Sequence, residues 1–167
     1  MILKKMTKSL IALATGLTLS FGSTVVMAEE GFAQKLLGKA MQLVGVKYRY
    51  GGTSPSTGLD CSGYVQYVFK SAVGVNLPRT ASEQARVGEN VGTDVRPGDM
   101  VFFNTRGFNN SHVGIYVGNG MFLHSPNSRS QVRFDTMDSG YWKKHYTGAR
   151  RVQGKQGSGL SNAPRAM

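Results

Sequence analysis

Cysteine is almost absent from this chain. Cys61 is the only one in 167 residues, so no disulfide can form within it. The residue is either a buried packing side chain or a thiol kept for its chemistry. Acidic residues are scarce as well. Nine Asp and Glu stand against twenty Lys and Arg, giving a formal charge of +11. A basic chain favours anionic partners, but nucleic acid is a poor match. Lys143-Lys144 and Arg150-Arg151 are the only adjacent basic pairs beyond residue 30, and the other cations are scattered singly rather than gathered in a stripe. Paired metal-ligand spacings of the CxxC or HExxH kind are missing, as are internal repeats. Long apolar runs are missing too: the stretch from Leu10 to Val26 is broken by Thr, Ser and Gly, unlike a membrane span.

What is present begins with an export pattern. Lys4, Lys5 and Lys8 form a positive region, the broken apolar stretch follows, and Val26-Met27-Ala28 supplies small residues before Glu29-Glu30. Residues 1–28 are therefore expected to be a signal peptide, the alternative being an uncleaved anchor. No Cys lies near its end, which excludes a lipidated N-terminus there. Its removal leaves about 140 residues, enough for a single domain with a real core. No stable membrane insertion is expected after cleavage. Exported compartments are oxidising, so an unpaired thiol sent there is at risk, and its retention points to use. The partner that fits is anionic envelope material such as carboxylate-rich wall peptides. A plain solvated basic surface is the alternative.

Around Cys61 the sequence is organised for exposure. Gly51-Gly52 and Ser54-Pro55-Ser56-Thr57-Gly58 are turn and loop residues. Asp60 suits a helix N-cap, and Tyr64, Val65, Val68 and Ala72 fall at helical spacing, with Gly74 as the stop. Cys61 is then in the first helical turn, where the dipole and free N–H groups favour a thiolate and can hold an oxyanion.

Upstream, Phe32, Leu36, Leu37, Ala40, Met41, Leu43 and Val44 predict an amphipathic helix ending near Gly45. Val46 to Tyr50 is read as a short extended piece. Downstream, Leu77 to Thr80 is extended, and Thr80 with Glu83 makes a capping box. Arg96-Pro97-Gly98-Asp99 is a turn, and Met100 to Phe103 a buried strand. Asn104 to Ser111 is a surface loop. His112 to Val117 and Met121 to His124 form a hairpin, Val132 to Phe134 a further strand, and Gly148 to Val152 closes the sheet. Trp142 and Tyr146 supply apolar bulk. Residues 153–167 have too little apolar content to pack and are expected to be a disordered tail. Helices first, then antiparallel strands, is an α+β pattern.

A cysteine nucleophile needs a base, and the base needs a group to orient it. Two of the chain's three histidines, His112 and His124, sit on the two arms of the hairpin. If Gly118-Asn119-Gly120 is the loop, Gly114 pairs with His124 and His112 lies diagonally across on the same face. A two-residue loop would put the rings on opposite faces unless a bulge compensates. His145, among Lys143, Lys144 and Tyr146, carries no such context. Zinc held by Cys61, His112 and His124 is a rival use of the same residues.

These motifs, in this order, resemble the NlpC/P60 cysteine peptidases: Tyr48-Arg49-Tyr50-Gly51-Gly52, Asp60-Cys61-Ser62-Gly63, Leu77-Pro78-Arg79-Thr80, Arg96 to Phe103, His112-Val113-Gly114-Ile115-Tyr116-Val117-Gly118 and Phe122-Leu123-His124-Ser125. The resemblance spans about residues 32–152, and the catalytic domain is set at 29–152. It implies a papain-like α+β fold in which the Cys-bearing helix packs on an antiparallel sheet. It further implies cleavage of bacterial wall peptides, as in small single-domain murein endopeptidases of Gram-negative bacteria, with Cys61 as nucleophile, His112 as base and His124 as its orienter. Tyr48 would help the oxyanion site, with Tyr50 the second choice. No cofactor and no metal is implied. Ser62 offers a backbone N–H to the oxyanion. Arg79 is a candidate for a substrate carboxylate or for an ion pair with Glu83. Asp60 is a cap, or a ligand for a free amine as well. The bond cut is expected to be the D-alanine–diaminopimelate cross-link, with cleavage after D-glutamate or non-catalytic wall binding as alternatives. The expected location is the periplasm.

Overall fold

The computed structural model describes residues 23–153. Most of the expected leader, residues 1–22, and residues 154–167 of the expected tail lie outside the described residues. Helix α1 (Ser23–Met41) contains residues 23–28 of the expected leader. Leu36 and Ala40, one turn apart, are buried, and Leu43 follows in the turn that leads to Gly45. The expected polar loop contains a small hairpin, β1 (Thr53–Ser54) with β2 (Gly58–Leu59). The expected extended piece before it is held only by isolated bridges, Lys47 to Gln131 and Tyr48 to Leu59.

Helix α2 (Cys61–Val73) starts and stops where its caps dictate. Asp60 has an extended backbone and accepts from the Gly63 N–H, while Gly74 takes a left-handed conformation (φ 71°) and returns its N–H to Lys70 and Phe69. Tyr64, Val68 and Phe69 are fully buried on its inner face. Each such side chain contributes about 1.5–3 kcal/mol. Helix α3 (Ala81–Gln84) carries the expected Thr80–Glu83 capping box. Buried Gln84 donates to the carbonyls of Ser62 and Pro78, tying α3 beneath the start of α2.

The remaining elements are β3 (Glu89–Asn90), β4 (Met100–Phe103), β5 (His112–Gly118), β6 (Met121–His124), β7 (Arg133–Thr136), helix α4 (Gly140–His145) and β8 (Tyr146–Arg151). They form an antiparallel six-stranded sheet in the order β3-β8-β4-β5-β6-β7. β4 is apolar throughout because both of its faces are covered. Met100 and Phe102 join the core under α1 and α2, while Val101 and Phe103 join a second cluster with Phe122, Trp142 and Ala149. The last strand inserts between β3 and β4, where Arg151 makes a two-pronged bond to buried Asp99.

The hairpin differs from the expected three-residue loop. Its turn is the dipeptide Asn119-Gly120, both at positive φ (51° and 71°), and Gly118 pairs with Met121. A bulge between Tyr116 and Gly118 then restores the pairing of Ile115 with Leu123. One extra residue in β5 cancels the one-residue change in the loop, so the two histidines still share a face. The strand expected at Val132 to Phe134 runs instead from Arg133 to Thr136.

Candidate active site

Asp60 fixes the nucleophile side. Its Oδ1 accepts from the Gly63 N–H at 2.7 Å, and its Oδ2 from the Gly51 N–H at 3.0 Å. Arg79 grips the same carboxylate with both terminal nitrogens, at 3.1 and 2.6 Å, and also donates to the Ser62 hydroxyl at 2.9 Å. Ser62 in turn donates to Asp60. Three separate pieces of backbone thus meet at one buried carboxylate: the Gly-Gly loop, the first turn of α2 and the segment carrying Arg79.

This network corrects one reading of the sequence and extends another, the Asp60 cap, which is present. Arg79 pairs with Asp60 rather than Glu83, and three of its five donors are spent inside the protein. The carboxylate of Asp60 is occupied by protein donors and acts as more than a simple cap. The Ser62 side chain belongs to the same network, which leaves its backbone N–H for the sulfur. Gly63 is needed because a Cβ there would collide with the carbonyl oxygen of Gly52.

The Cys61 sulfur is approached by the backbone N–H groups of Val113 and Ser62, which pull its pKa down. Burial, and then the charge of Asp60, outweigh them and hold the thiol above its ordinary value. The Val113 contact brings the start of α2 to the first residues of β5. There the histidines lie on the opposite sheet face, against Trp142.

His112 Nε2 is 2.8 Å from His124 Nδ1, and His124 Nε2 is 3.0 Å from Asp135 Oδ2. Asp135 also accepts from the Trp142 indole N–H at 3.1 Å and from Arg133 at 3.0 Å. Despite partial burial, bonds from His124 and Arg133 hold the Asp135 carboxyl far below the usual carboxylate range. It is therefore ionised and only accepts. That assigns the His124 proton to Nε2 and makes its Nδ1 an acceptor. His112 must then donate from Nε2, which leaves Nδ1 as its basic nitrogen.

The relay steps diagonally across three strands. His124 is paired with Arg133, and Asp135 is two residues further along β7. His112 stands two residues before Gly114, the residue beside which His124 packs. A Cβ at Gly114 would lie 2.7 Å from the Phe122 ring and 3.1 Å from the His124 Cβ, so only glycine admits this approach. Trp142 stacks on His112 with centroids 5.5 Å apart and meets His124 edge-on at 4.9 Å. Burial, reinforced by His124, pushes the pKa of His112 well below the ordinary imidazole value, and burial also lowers that of His124. The thiol and imidazole are accordingly both neutral at rest. The two rings bond to each other rather than converging on a common point, which does not fit the zinc alternative.

Two clefts flank these groups. One, of about 330 Å³, is lined by Cys61, Asp60, Arg79, Phe108 and Ser111 among others. The other, of about 540 Å³, is lined by His112, Asn127, Arg133, Tyr141 and Trp142 among others. Tyr48, Tyr50 and Arg106 line both. Tyr48 is half-buried, and burial together with the nearby Cys61 raises its pKa, so it remains a phenol donor. Tyr50 is 76 % exposed and has Arg106 over its ring instead. Tyr48 is therefore the better-placed of the two phenols. His145 lies apart, bonded to the Tyr141 carbonyl.

Asp135 and Arg106 carry no local signal in the sequence, where Trp142 reads only as apolar bulk. The register of β6 against β7 would have singled out Asp135, but the chain by itself does not state that register.

The NlpC/P60 family model matches residues 45–151. The chain belongs to the NlpC/P60 family. It is 43 % identical over 120 residues to the murein DD-endopeptidase MepH of Escherichia coli, a stretch covering 70 % of this chain and 44 % of MepH. It is 46 % identical over 115 residues to the gamma-DL-glutamyl hydrolase of Bacillus subtilis, covering 68 % of this chain and 28 % of that protein. The chain thus spans less than half the length of either. A crystal structure of an NlpC/P60 family protein from Bacillus cereus superimposes with a TM-score of 0.67 at 32 % identity, over 71 % of this chain and 39 % of that one. These matches bear out the expected fold.

Proposed function

We propose that this protein is a peptidoglycan endopeptidase that cuts wall peptides through a Cys61 acyl-enzyme. The observation that carries the proposal is the buried relay from Asp135 through His124 to His112, on the strand whose next residue, Val113, turns its backbone N–H to the chain's only thiol. Because both groups rest neutral, the proton leaves Cys61 for His112 Nδ1 as the sulfur attacks the scissile carbonyl. The developing oxyanion meets the backbone N–H of Cys61 or Ser62 and the Tyr48 hydroxyl. As the C–N bond breaks, His112 gives its proton to the leaving amine. Water, deprotonated by His112, then attacks the thioester and releases the acid and the thiol.

The D-alanine–diaminopimelate cross-link is the favoured bond, in line with the DD-endopeptidase name of MepH. Cleavage after D-glutamate is the second reading, in line with the glutamyl hydrolase. With residues 1–28 read as an export signal, the site of action is the periplasm. Among the described residues, no helix is long and apolar enough to cross a membrane.

The test is digestion of purified cross-linked peptidoglycan by the protein and by Cys61→Ala, with fragments resolved by mass spectrometry. Conversion of cross-linked dimers to monomers, only with Cys61 present, is the expected result. Shortened stems would move the cut to the bond after D-glutamate. Identical, undigested fragments from both proteins would overturn the hydrolase reading.

A further inference from the structure

The arginines of this molecule divide into committed and uncommitted cations. Arg79 is held by Asp60, Arg96 by Asp94, Arg133 by Asp135 and Arg151 by Asp99. Arg106, on the loop between β4 and β5, has no carboxylate partner among the described residues. It lies with its guanidinium 5.6 Å from the centre of the Tyr50 ring and close to the Tyr48 phenol, whose pKa its charge draws down against the effect of burial. Among the described residues it is also the only cation that lines both clefts.

The lining of the larger cleft deepens the asymmetry. Among the described residues it holds Arg106 and Arg133 and not one Asp or Glu. In the smaller cleft the single acid is Asp60, already occupied by Arg79. Among the described residues, a ligand entering this space therefore meets positive charge and aromatic faces, and the one carboxylate in the lining is already paired. A guanidinium stacked on an aromatic face is pre-oriented and still presents its fork to a planar anion.

We propose that Arg106 is a carboxylate-recognition residue, seizing a free carboxylate of the substrate peptide where the two clefts meet. The inference rests on the endopeptidase reading for its substrate class. It moves the carboxylate-binding role considered for Arg79 to a cation whose donors are not bound to a protein acid. Being exposed on a loop, Arg106 can be replaced with little effect on the fold.

The probe is the tetrapeptide L-Ala–γ-D-Glu–diaminopimelate–D-Ala, with three mono-amides in which the D-Glu, diaminopimelate or terminal D-Ala carboxylate is capped. Binding is measured by calorimetry on Cys61→Ala and on Cys61→Ala combined with Arg106→Gln or Arg106→Lys. One amide is expected to bind about tenfold more weakly than the free peptide to Cys61→Ala, and equally well when Arg106 is Gln. Arg106→Lys should restore part of the discrimination, since it keeps the charge without the fork. The amide that loses affinity identifies the carboxylate. A distorted loop would weaken all four peptides alike and leave their ratios unchanged. The same ratios with and without Arg106, or no measurable binding of any peptide to Cys61→Ala, would overturn the inference. If the ratios collapse as expected but the unmodified protein cleaves no peptidoglycan, the hydrolase reading falls and carboxylate recognition stands. If cleavage occurs and the ratios do not collapse, the reverse holds.

Discussion

Asp60 and Asp135 stand on opposite sides of the reacting groups, and each gathers several donors, but the donors differ in kind. Asp60 accepts from two backbone N–H groups, a hydroxyl and a two-pronged Arg79. Asp135 accepts from an imidazole, an indole and a guanidinium, all of them side chains. A carboxylate that binds backbone joins segments of the fold. A carboxylate that binds ring N–H groups sets tautomers and ring orientations while the chain trace around it is held by other bonds. The contrast predicts that damage on the Asp60 side is read in stability and damage on the Asp135 side in turnover.

The largest effect is expected from Asp60→Ala, which strands Arg79 and two backbone donors. It should lower unfolding free energy by about 3 kcal/mol, measured by urea denaturation. If Asp135→Ala proved equally destabilising, the division between the two carboxylates would break. Asp135→Ala is instead expected to lose roughly 1 kcal/mol of stability while kcat falls on the order of tenfold to a hundredfold. Steady-state cleavage of a wall tetrapeptide dimer gives that number, and an unchanged kcat would remove Asp135 from the relay. Tyr48→Phe should lower kcat by about tenfold, whereas Tyr50→Phe should leave it within twofold of the parent. The reverse ranking would exchange their roles.

A pH experiment sharpens the comparison further. His112 and His124 have folded-state values below the free imidazole, so on acidification the unfolded chain binds protons first. Stability is therefore complete above about pH 6.5 and falls as pH drops below it. Asp135, depressed in the folded state, acts in the same direction but lower. Its contribution is present above about pH 4 and is lost as the pH falls from there through the folded value. The acid limb of kcat/KM should lie below the ordinary imidazole range. Because the Asp135 charge raises the pKa of His112, Asp135→Ala should shift that limb lower still. A limb that moves upward would contradict the assigned network.

Most of the nucleophile side was legible in the chain. Asp60, Cys61 and the apolar positions of α2 are contiguous, and caps and helical periodicity act over a few residues. The two histidines were legible as a pair because each strand carries one near the same end of a hairpin. The loop length was misread, since both a three-residue loop and a two-residue turn with a bulge produce the same facing pair. Asp135 was not legible because its contact with His124 depends on a third strand whose register is set by packing. Trp142 reads as apolar bulk in the chain because nothing local indicates that α4 turns its indole onto His112.

By itself the sequence determined a lone thiol at a capped helix start, two imidazoles in one hairpin and an excess of cations, all consequences of local order and composition. Only the tertiary structure decided which nitrogen of His112 is basic, which carboxylate serves the backbone and which the base, and which arginines are already spent. Those outcomes depend on diagonal contacts between strands and on ion pairs between residues far apart in sequence. Packing selects them, and no spacing along the chain encodes them.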